Sequence, residues 1–238
     1  MNENNKSERR ILITPARCFE DAPQDRRIGG CMGRELPLRT LWAALGLALA
    51  VAACYLFLDR LAAGWAASLK HSGTFGVATI LSLLADSGAT KHLVAAGFVL
   101  SAANLLGASP RPWARKLLFV CLSVTVAFLV TDALKYVFGR ARPPLFLEEG
   151  VYGFTWFTDK DAYNSFPSGH TTRAFAACAA LAFLFRRYAV PFFCIAALVG
   201  LSRIFALRHY PSDVLAGAFV GIAAAVWTRA LYRSGPAS

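Results

Sequence analysis

Long apolar blocks fill most of the sequence after residue 39, and they constrain the fold more than any other feature. A helix needs about 20 mostly apolar residues to cross the hydrocarbon core of a bilayer. Hydrophobic residues make up 56% of the chain and charged residues only 16%, which excludes an ordinary soluble domain. The sequence therefore predicts an all-α fold, a polytopic membrane bundle with about six transmembrane helices. The predicted spans are 40–58, 91–107, 117–138, 170–186, 189–207 and 212–232.

The segments outside these spans give the domain organisation. Residues 1–38 are polar and contain no apolar core, so we expect a partly disordered cytoplasmic tail. Residues 39–233 form the predicted transmembrane domain, and residues 234–238 form a short C-terminal tail. Residues 61–85 are moderately apolar and interrupted by glycine and polar residues, which favours an interfacial amphipathic helix over a seventh crossing.

The positions of basic residues predict an orientation. Lys and Arg accumulate on the cytoplasmic side of membrane proteins. Here they are concentrated in the N-terminal tail, between spans two and three, between spans four and five, and at the end of the chain. We therefore expect both termini in the cytoplasm. The same bias explains the formal net charge of +11 without a nucleic-acid partner.

Polar residues interrupt the apolar pattern in three clusters that share the predicted non-cytoplasmic face. The first, 135–143, follows span three; the second, 167–170, opens span four; the third, 202–213, joins spans five and six. Ionisable groups at membrane depth are costly and usually mark a functional site. Six apolar helices could be built without any of these residues, so the clusters predict a polar site at that end of the bundle.

Three cations and one helix entry predict a phosphate site. Lys135, Arg142 and Arg203 are fixed positive charges, and an Arg guanidinium matches phosphate oxygens bidentately. Ser168 and Gly169 precede a helix, where a hydroxyl and backbone N–H groups can face an anion at the positive end of the helix dipole. This combination would hold a phosphate without a metal ion.

Two histidines and an aspartate predict the chemistry performed on that phosphate. His209 and Asp213 are four residues apart, which places both side chains on one helix face. A carboxylate on one ring nitrogen fixes the tautomer and leaves the other nitrogen free to attack. His170 then remains as the general acid that protonates the departing alkoxide.

These clusters resemble the signature of the type-2 phosphatidic acid phosphatase superfamily, which includes lipid phosphate phosphatases, glucose-6-phosphatase and vanadium haloperoxidases. The signature consists of Lys-x6-Arg-Pro, Pro-Ser-Gly-His and Ser-Arg-x5-His-x3-Asp, and the sequence matches every position of it within residues 90–232. The resemblance implies that His209 forms a phosphohistidine supported by Asp213. It also implies that His170 protonates the leaving group and later activates water, and that no metal or other cofactor is needed.

Each residue also has a structural alternative. Lys135 could extend to the interface while paired with Asp132, Ser168 could only cap a helix, and either histidine could be merely hydrogen-bonded. Arg140, Arg173 and Arg208 could contact an anionic headgroup or only membrane phosphates. The aromatic and acidic loop 144–166 could be a gate over the site or a peripheral loop resting on headgroups.

The expected substrate is a phosphate or diphosphate on a membrane lipid, and the lipid bilayer is the expected partner. In a bacterium the candidates are undecaprenyl diphosphate, phosphatidylglycerol phosphate, phosphatidic acid and lipid A, and analogy with common tasks of the family favours the first two. The site would then face the periplasm from the inner membrane. The alternatives are a lipid phosphotransferase with the same phosphohistidine chemistry and an anion transporter. The sequence does not predict an oligomeric state.

Overall fold

The computed structural model describes residues 24–69, 87–107, 109 and 111–234, and the regular structure in these residues is helical. The only strand-like pairing in that part of the chain is an isolated antiparallel bridge between Arg140 and Phe154. The predicted all-α fold is confirmed. The helices are α1 (Gln24–Ala53), α2 (Asp59–Ser68), α3 (Ser87–Leu105), α4 (Pro112–Phe138), α5 (Pro143–Glu149), α6 (Gly169–Leu184), α7 (Ala189–Phe205) and α8 (Pro211–Ser234).

The chain divides into two compact units, residues 1–39 and residues 40–238. In the first unit the described residues, 24–39, are helical, and Arg39 pairs with Glu35 one turn earlier. Helix thus occupies the last part of the predicted polar tail, while residues 1–23 lie outside the described residues.

Four helical segments among the described residues are long and apolar enough to cross a membrane, judged by length and composition: Glu35–Ser68, Pro112–Phe138, Arg186–Phe205 and Pro211–Tyr232. Each contains or overlaps one predicted span. The other two predicted spans correspond to α3 and α6, which have 19 and 16 residues. The number of six crossings therefore remains a prediction.

The first long helix continues beyond residue 58, where the predicted first span ends. Cys54–Leu58 form a π-helical turn, and α2 follows directly and continues to Ser68. Residues 61–68 are therefore part of the same helix as the first span, and the remainder of the predicted interfacial segment, 70–85, lies outside the described residues. A π-turn widens the helix locally and is frequent at functional sites. Asp59 follows it directly and is fully buried.

Small residues form the interior of this unit, and large apolar side chains point outward. The buried hydrophobic residues are mostly alanines, whereas Leu49, Phe57 and Val190 are each 74% exposed. Small side chains allow helix backbones to approach closely, as is typical of membrane bundles. Gly217 shows how tight the contact between α6 and α8 is, because an added Cβ would lie 2.7 Å from the Ser168 carbonyl oxygen.

The loop after α4 satisfies the carbonyl groups at the end of that helix. Gly139 ends α4 with φ +52°, and its N–H donates to the Lys135 carbonyl at 2.9 Å. Backbone N–H groups of residues 155–158 donate in register to the carbonyls of residues 136–139. Unpaired carbonyls at a helix end need such partners. The last turn of α4, which carries Lys135, is therefore held in place, and this part of the loop is anchored to the helix.

Candidate active site

His209, the predicted nucleophile, lies in the short connection between α7 and α8. The N–H groups of Arg208 and His209 donate to the Arg203 carbonyl, which fixes the connection to the end of α7. The His209 side chain is 3% exposed, and its Nδ1 lies 2.8 Å from the Ser165 carbonyl oxygen. A carbonyl oxygen can only accept a hydrogen bond, so Nδ1 carries the proton and Nε2 keeps its lone pair.

The sequence predicted a direct hydrogen bond between the Asp213 carboxylate and the His209 ring, but Ser165 lies between them. Its Oδ2 lies 3.7 Å from His209 Nδ1, whereas it accepts hydrogen bonds from Ser165 Oγ at 2.6 Å and from the Tyr210 N–H at 2.8 Å. Asp213 therefore positions Ser165, and Ser165 orients the histidine. In place of the predicted hydrogen bond between carboxylate and imidazole, His209 Nδ1 is hydrogen-bonded to the backbone carbonyl of Ser165.

A cluster of charged residues that the sequence reasoning did not assemble lies behind Asp213. Arg140 is fully buried and donates to Asp213 Oδ1, to Ser212 Oγ at 2.6 Å and to Asp59 Oδ2 at 2.7 Å. We call Asp59, Arg140, Ser212 and Asp213 the paired cluster. Arg140 is therefore not the headgroup contact that the sequence left open, because its guanidinium is buried against protein carboxylates.

Burial lowers the pKa of His209 to about 4. Asp213 opposes this shift by favouring the imidazolium, while the charges of Lys135 and Arg142 reinforce the lowering of the pKa. The ring is therefore neutral near pH 7. A histidine that attacks phosphorus must be neutral, so the electrostatic environment suits the predicted role.

The three predicted phosphate-binding cations form a second group, which we call the cation clamp: Lys135, Arg142 and Arg203. Within the described residues, the Nε atoms of Arg142 and Arg203 are buried and have no hydrogen-bond partner. Buried donors of this kind normally have a partner, although the Nε of Arg140 lacks one too. In Arg142 and Arg203 the donors belong to the predicted phosphate site, where an anion would be the acceptor. Burial and the nearby Arg208 also lower the pKa of Arg142, although Asp161 opposes this.

Lys135 occupies the last turn of α4 and faces the start of α6. A Cβ added to Gly169 would lie 3.4 Å from Lys135 Nζ, so the lysine approaches the backbone at the entry of α6. Across the described chain, no ion pair within 4 Å joins Lys135 to Asp132. The alternative of a lysine neutralised by that aspartate is thus not supported.

Ser168 and Gly169 form the beginning of α6. Ser168 occupies the N-cap position, but its hydroxyl makes no capping hydrogen bond to the helix; it accepts one from Thr171 Oγ1 at 2.9 Å. The Ser168 N–H donates to the Asp213 carbonyl at 3.0 Å, which joins α6 to α8. The first N–H groups of α6 are thus without a side-chain cap and lie beside Lys135, as an anion site requires.

His170, the predicted general acid, follows directly and is half-buried. Its ring is close enough to His209, Lys135 and Arg203 for their charges to act on it. The structure therefore brings the predicted residues of α4, α6, α7 and α8 together at one end of the unit. Their individual roles remain predictions.

Comparison with known proteins decides the family. The model of the PAP2 superfamily matches residues 116–234, half of the chain. The chain belongs to the PAP2 superfamily. This confirms the resemblance inferred from the three sequence motifs.

One relative and two solved structures extend this result. The chain is 46% identical over 102 residues to the lipid A 1-phosphatase of Rhizobium etli; the match covers 42% of this chain and only 44% of that relative. The crystal structure of Aquifex aeolicus LpxE superposes with a TM-score of 0.53 and 23% identity, covering 72% of this chain and 94% of that one. The first transmembrane PAP2 type phosphatidylglycerolphosphate phosphatase from Bacillus subtilis gives 0.58 and 18%, covering 83% and 97%.

The PAP2 fold and the apolar helices together make this a multi-pass membrane protein. The matched range contains every predicted site residue, from Lys135 to Asp213, but it excludes Asp59. Among the described residues, no group of three or more His, Cys, Asp or Glu side chains is arranged to hold a metal ion.

The sequence reasoning missed three residues of the site: Asp59, Arg140 as a partner of carboxylates, and Ser165. Asp59 carried a usable signal, because it is an acidic residue inside a long apolar run. Arg140 lies inside the first motif cluster but could not be assigned without knowing its partners. Ser165 carried no signal, because its main contribution is a backbone carbonyl.

Proposed function

We propose that this PAP2 protein hydrolyses a phosphate or diphosphate group on a membrane lipid, with His209 as the nucleophile. The observation that carries the proposal is the orientation of His209. Its Nδ1 is held by the Ser165 carbonyl, so that the lone pair of Nε2 is available for attack. Three neighbouring cations supply the charge that a phosphoryl group needs.

The reaction proceeds in two balanced steps. Nε2 of His209 attacks phosphorus and forms an N–P bond, while the bond between phosphorus and the lipid oxygen breaks. His170 donates a proton to that oxygen, so the lipid leaves as an alcohol or as a shorter phosphate. Water then attacks the phosphohistidine and transfers a proton to His170, the N–P bond breaks, and inorganic phosphate leaves.

The cation clamp lowers the barrier by stabilising charge on the equatorial phosphoryl oxygens. Phosphoryl transfer depends mostly on positioning and electrostatic stabilisation, so fixed cations in a site with little water are effective. The uncapped amides at the start of α6 add backbone donors to the same oxygens. Asp213 and Ser165 keep the histidine ring aligned through both steps.

The favoured substrate is a phosphate on lipid A. The Rhizobium etli relative is a lipid A 1-phosphatase at 46% identity, and this outweighs the analogy that favoured undecaprenyl diphosphate or phosphatidylglycerol phosphate. The proposed location is the inner membrane, with cytoplasmic termini and the site facing the periplasm. The basic residues at the opposite ends of the spans support that orientation.

Phosphate release from detergent-solubilised protein tests the proposal. The lipids are lipid A, undecaprenyl diphosphate, phosphatidylglycerol phosphate and phosphatidic acid, each with and without EDTA. We expect release from lipid A, no inhibition by EDTA, and losses of about 10²- to 10⁴-fold in His170→Ala, with no activity in His209→Ala. The exposed His92 provides the matched control, and His92→Ala should retain full activity.

Three results would contradict the proposal: activity in His209→Ala, abolition by EDTA, or phosphate release from none of the lipids. A requirement for an acceptor lipid before phosphate leaves the donor would instead identify a phosphotransferase. Release from another lipid, but not from lipid A, would retain the chemistry and reject the substrate.

A further inference from the structure

Asp59 is a fully buried carboxylate on the first long helix, outside the range that matches the PAP2 family. It follows the π-helical turn Cys54–Leu58 directly. A buried charge is costly unless it is paired and hydrogen-bonded. The contacts of Asp59 must therefore offset the cost of burying its charge in an apolar helix.

Asp59 binds the beginning of α8 and Arg140 together. Its Oδ1 accepts the Ser212 N–H at 3.0 Å, and its Oδ2 accepts Arg140 Nη2 at 2.7 Å and the Ser212 hydroxyl. Ser212 lies in the first turn of α8, where N–H groups have no partner within the helix. Asp59 thus fixes the turn that also carries Asp213.

Arg140 divides its charge between two carboxylates. One end of the guanidinium donates to Asp59 and the other to Asp213, and all three side chains are fully buried. Rings of Tyr210 and Tyr55 lie 4.3 Å and 5.0 Å from the guanidinium carbon, so aromatic faces occupy much of the remaining surroundings. One cation and two carboxylates leave the paired cluster with a net negative charge beside His209.

We propose that Asp59 is a positioning residue for the nucleophile, acting on His209 through Arg140, Asp213 and Ser165. By binding half of the guanidinium, Asp59 limits how far Arg140 neutralises Asp213. Asp213 then retains enough negative charge to hold Ser165 and to stabilise positive charge developing on the His209 ring. This inference rests on the proposed function, because it assigns Asp59 to the same reaction.

The other charges around His209 define what the loss of Asp59 changes. Asp213 faces the ring from α8, Lys135 and Arg142 act on it from α4 and the loop before α5, and His170 lies near it at the start of α6. Asp59→Asn leaves the clamp intact, so substrate binding should change little. Arg140 would bind Asp213 more strongly, the pKa of His209 would fall, and the ring would become a weaker nucleophile.

The experiment compares Asp59→Asn with Glu149→Gln, which removes an exposed carboxylate from the same chain. We expect Asp59→Asn to lower kcat about 10- to 100-fold, the size that small misalignments of reacting groups produce. KM for the lipid phosphate should stay unchanged. Titration of ¹⁵N-labelled histidine rings by NMR should show a lower pKa for His209. Glu149→Gln should match the wild type in all three measurements.

The outcomes separate this inference from the proposed function. If the wild type releases phosphate while Asp59→Asn keeps the same kcat and the same His209 titration, Asp59 is not a positioning residue. A loss of thermal stability alone, with unchanged kcat per folded molecule and unchanged titration, would show a purely structural role and overturn the proposal. If the wild type acts on no lipid, the proposed function fails, and the NMR titration alone decides the inference.

A milder variant covers the case in which Asp59→Asn does not fold. Ser212→Ala keeps the charge of Asp59 but removes the hydroxyl that contacts both Asp59 and Arg140. We expect a smaller decrease in kcat and a His209 pKa change in the same direction. If Ser212→Ala equals the wild type in both, the proposal is overturned.

Discussion

Arg140 and Arg142 lie two residues apart, and their side chains are 0% and 17% exposed, yet their surroundings are opposite. Arg140 belongs to the paired cluster, where two buried carboxylates and the hydroxyls of Ser212 and Tyr152 accept its hydrogen bonds. Arg142 belongs to the cation clamp. Its one ion pair among the described residues is with Asp161, whose side chain is 84% exposed. The Nε of both arginines is buried without a hydrogen-bond partner there, so the difference lies in the partners of the other guanidinium nitrogens.

Under the proposed function, the two arginines serve different purposes. A guanidinium already bound by buried carboxylates has little attraction left for a substrate, so Arg140 serves as structure. A guanidinium whose ion-pair partner is exposed to solvent can still bind an anion. The sequence motif alone places both arginines in one cluster, and only their partners distinguish them.

The sharpest test of the comparison is Arg140→Met, which should cause the largest effect. It leaves Asp59 and Asp213 buried without a cation, and breaking a buried pair in this way costs about 3–5 kcal/mol. We expect a strongly lowered thermal denaturation midpoint in detergent, together with loss of phosphate release. A variant as stable as the wild type would show that the paired cluster does not support the fold.

The same substitution at the neighbouring arginine should produce the opposite pattern. Under the proposed function, Arg142→Met removes charge-assisted hydrogen bonds to the phosphate, worth about 1.5–3 kcal/mol, or roughly 10- to 100-fold in kcat/KM. Its denaturation midpoint should stay close to that of the wild type. Arg115→Met, at an exposed arginine of α4, is the control and should change neither quantity. If Arg142→Met were as unstable as Arg140→Met, the distinction between the two groups would be wrong.

The charges of both the paired cluster and the cation clamp act on His209, so its protonation state provides a further test. Burial lowers its pKa to about 4, so the unfolded chain binds a proton between about pH 6.5 and pH 4 that the folded protein does not. Stability should therefore fall as the pH decreases through this window. In His209→Gln that part of the decrease in denaturation midpoint should disappear, whereas exposed His92→Gln should keep it. Identical pH profiles for His209→Gln and the wild type would contradict a buried neutral ring.

The sequence predicted the helices more fully than the network that links them. The predicted span 117–138 ends where α4 ends, and the predicted span 212–232 differs from α8 by one residue at its start and two at its end. Apolar runs and motifs consist of residues that are close together in the sequence, so they can be recognised without a structure. The hydrogen bond between Asp59 and Ser212 joins residues 153 positions apart, and no local pattern predicts such a pairing.

The candidate site shows the same division. The cation clamp, Ser168, Gly169 and the catalytic candidates were predicted because charged and helix-opening residues stand out in an apolar chain. The connection between Asp213 and His209 was not predicted, because it includes the backbone carbonyl of Ser165. Backbone groups are the same in every residue, so their involvement becomes visible only in three dimensions.

Gly139 lies in the sequence between Lys135 of the cation clamp and Arg140 of the paired cluster. Its substitution should give the smallest of these effects. A non-glycine residue in the left-handed region costs about 1–2 kcal/mol. Gly139 has φ +52°, and an added Cβ would also lie 2.6 Å from Thr158 Cγ2. Gly150 is a matched control, because its φ is +72° and an added Cβ would meet nothing within 4 Å.

Gly139→Ala and Gly150→Ala should therefore share the backbone strain and differ by the contact with Thr158. We expect Gly139→Ala to have the lower denaturation midpoint. We also expect it alone to raise KM for the lipid phosphate, because the contact would displace the turn that carries Lys135. Measuring both variants separates the two contributions. Equal denaturation midpoints would mean that the loop relieves the contact with Thr158 without loss of stability. An unchanged KM would mean that the position of Lys135 does not depend on the hydrogen bonds between the loop and the end of α4.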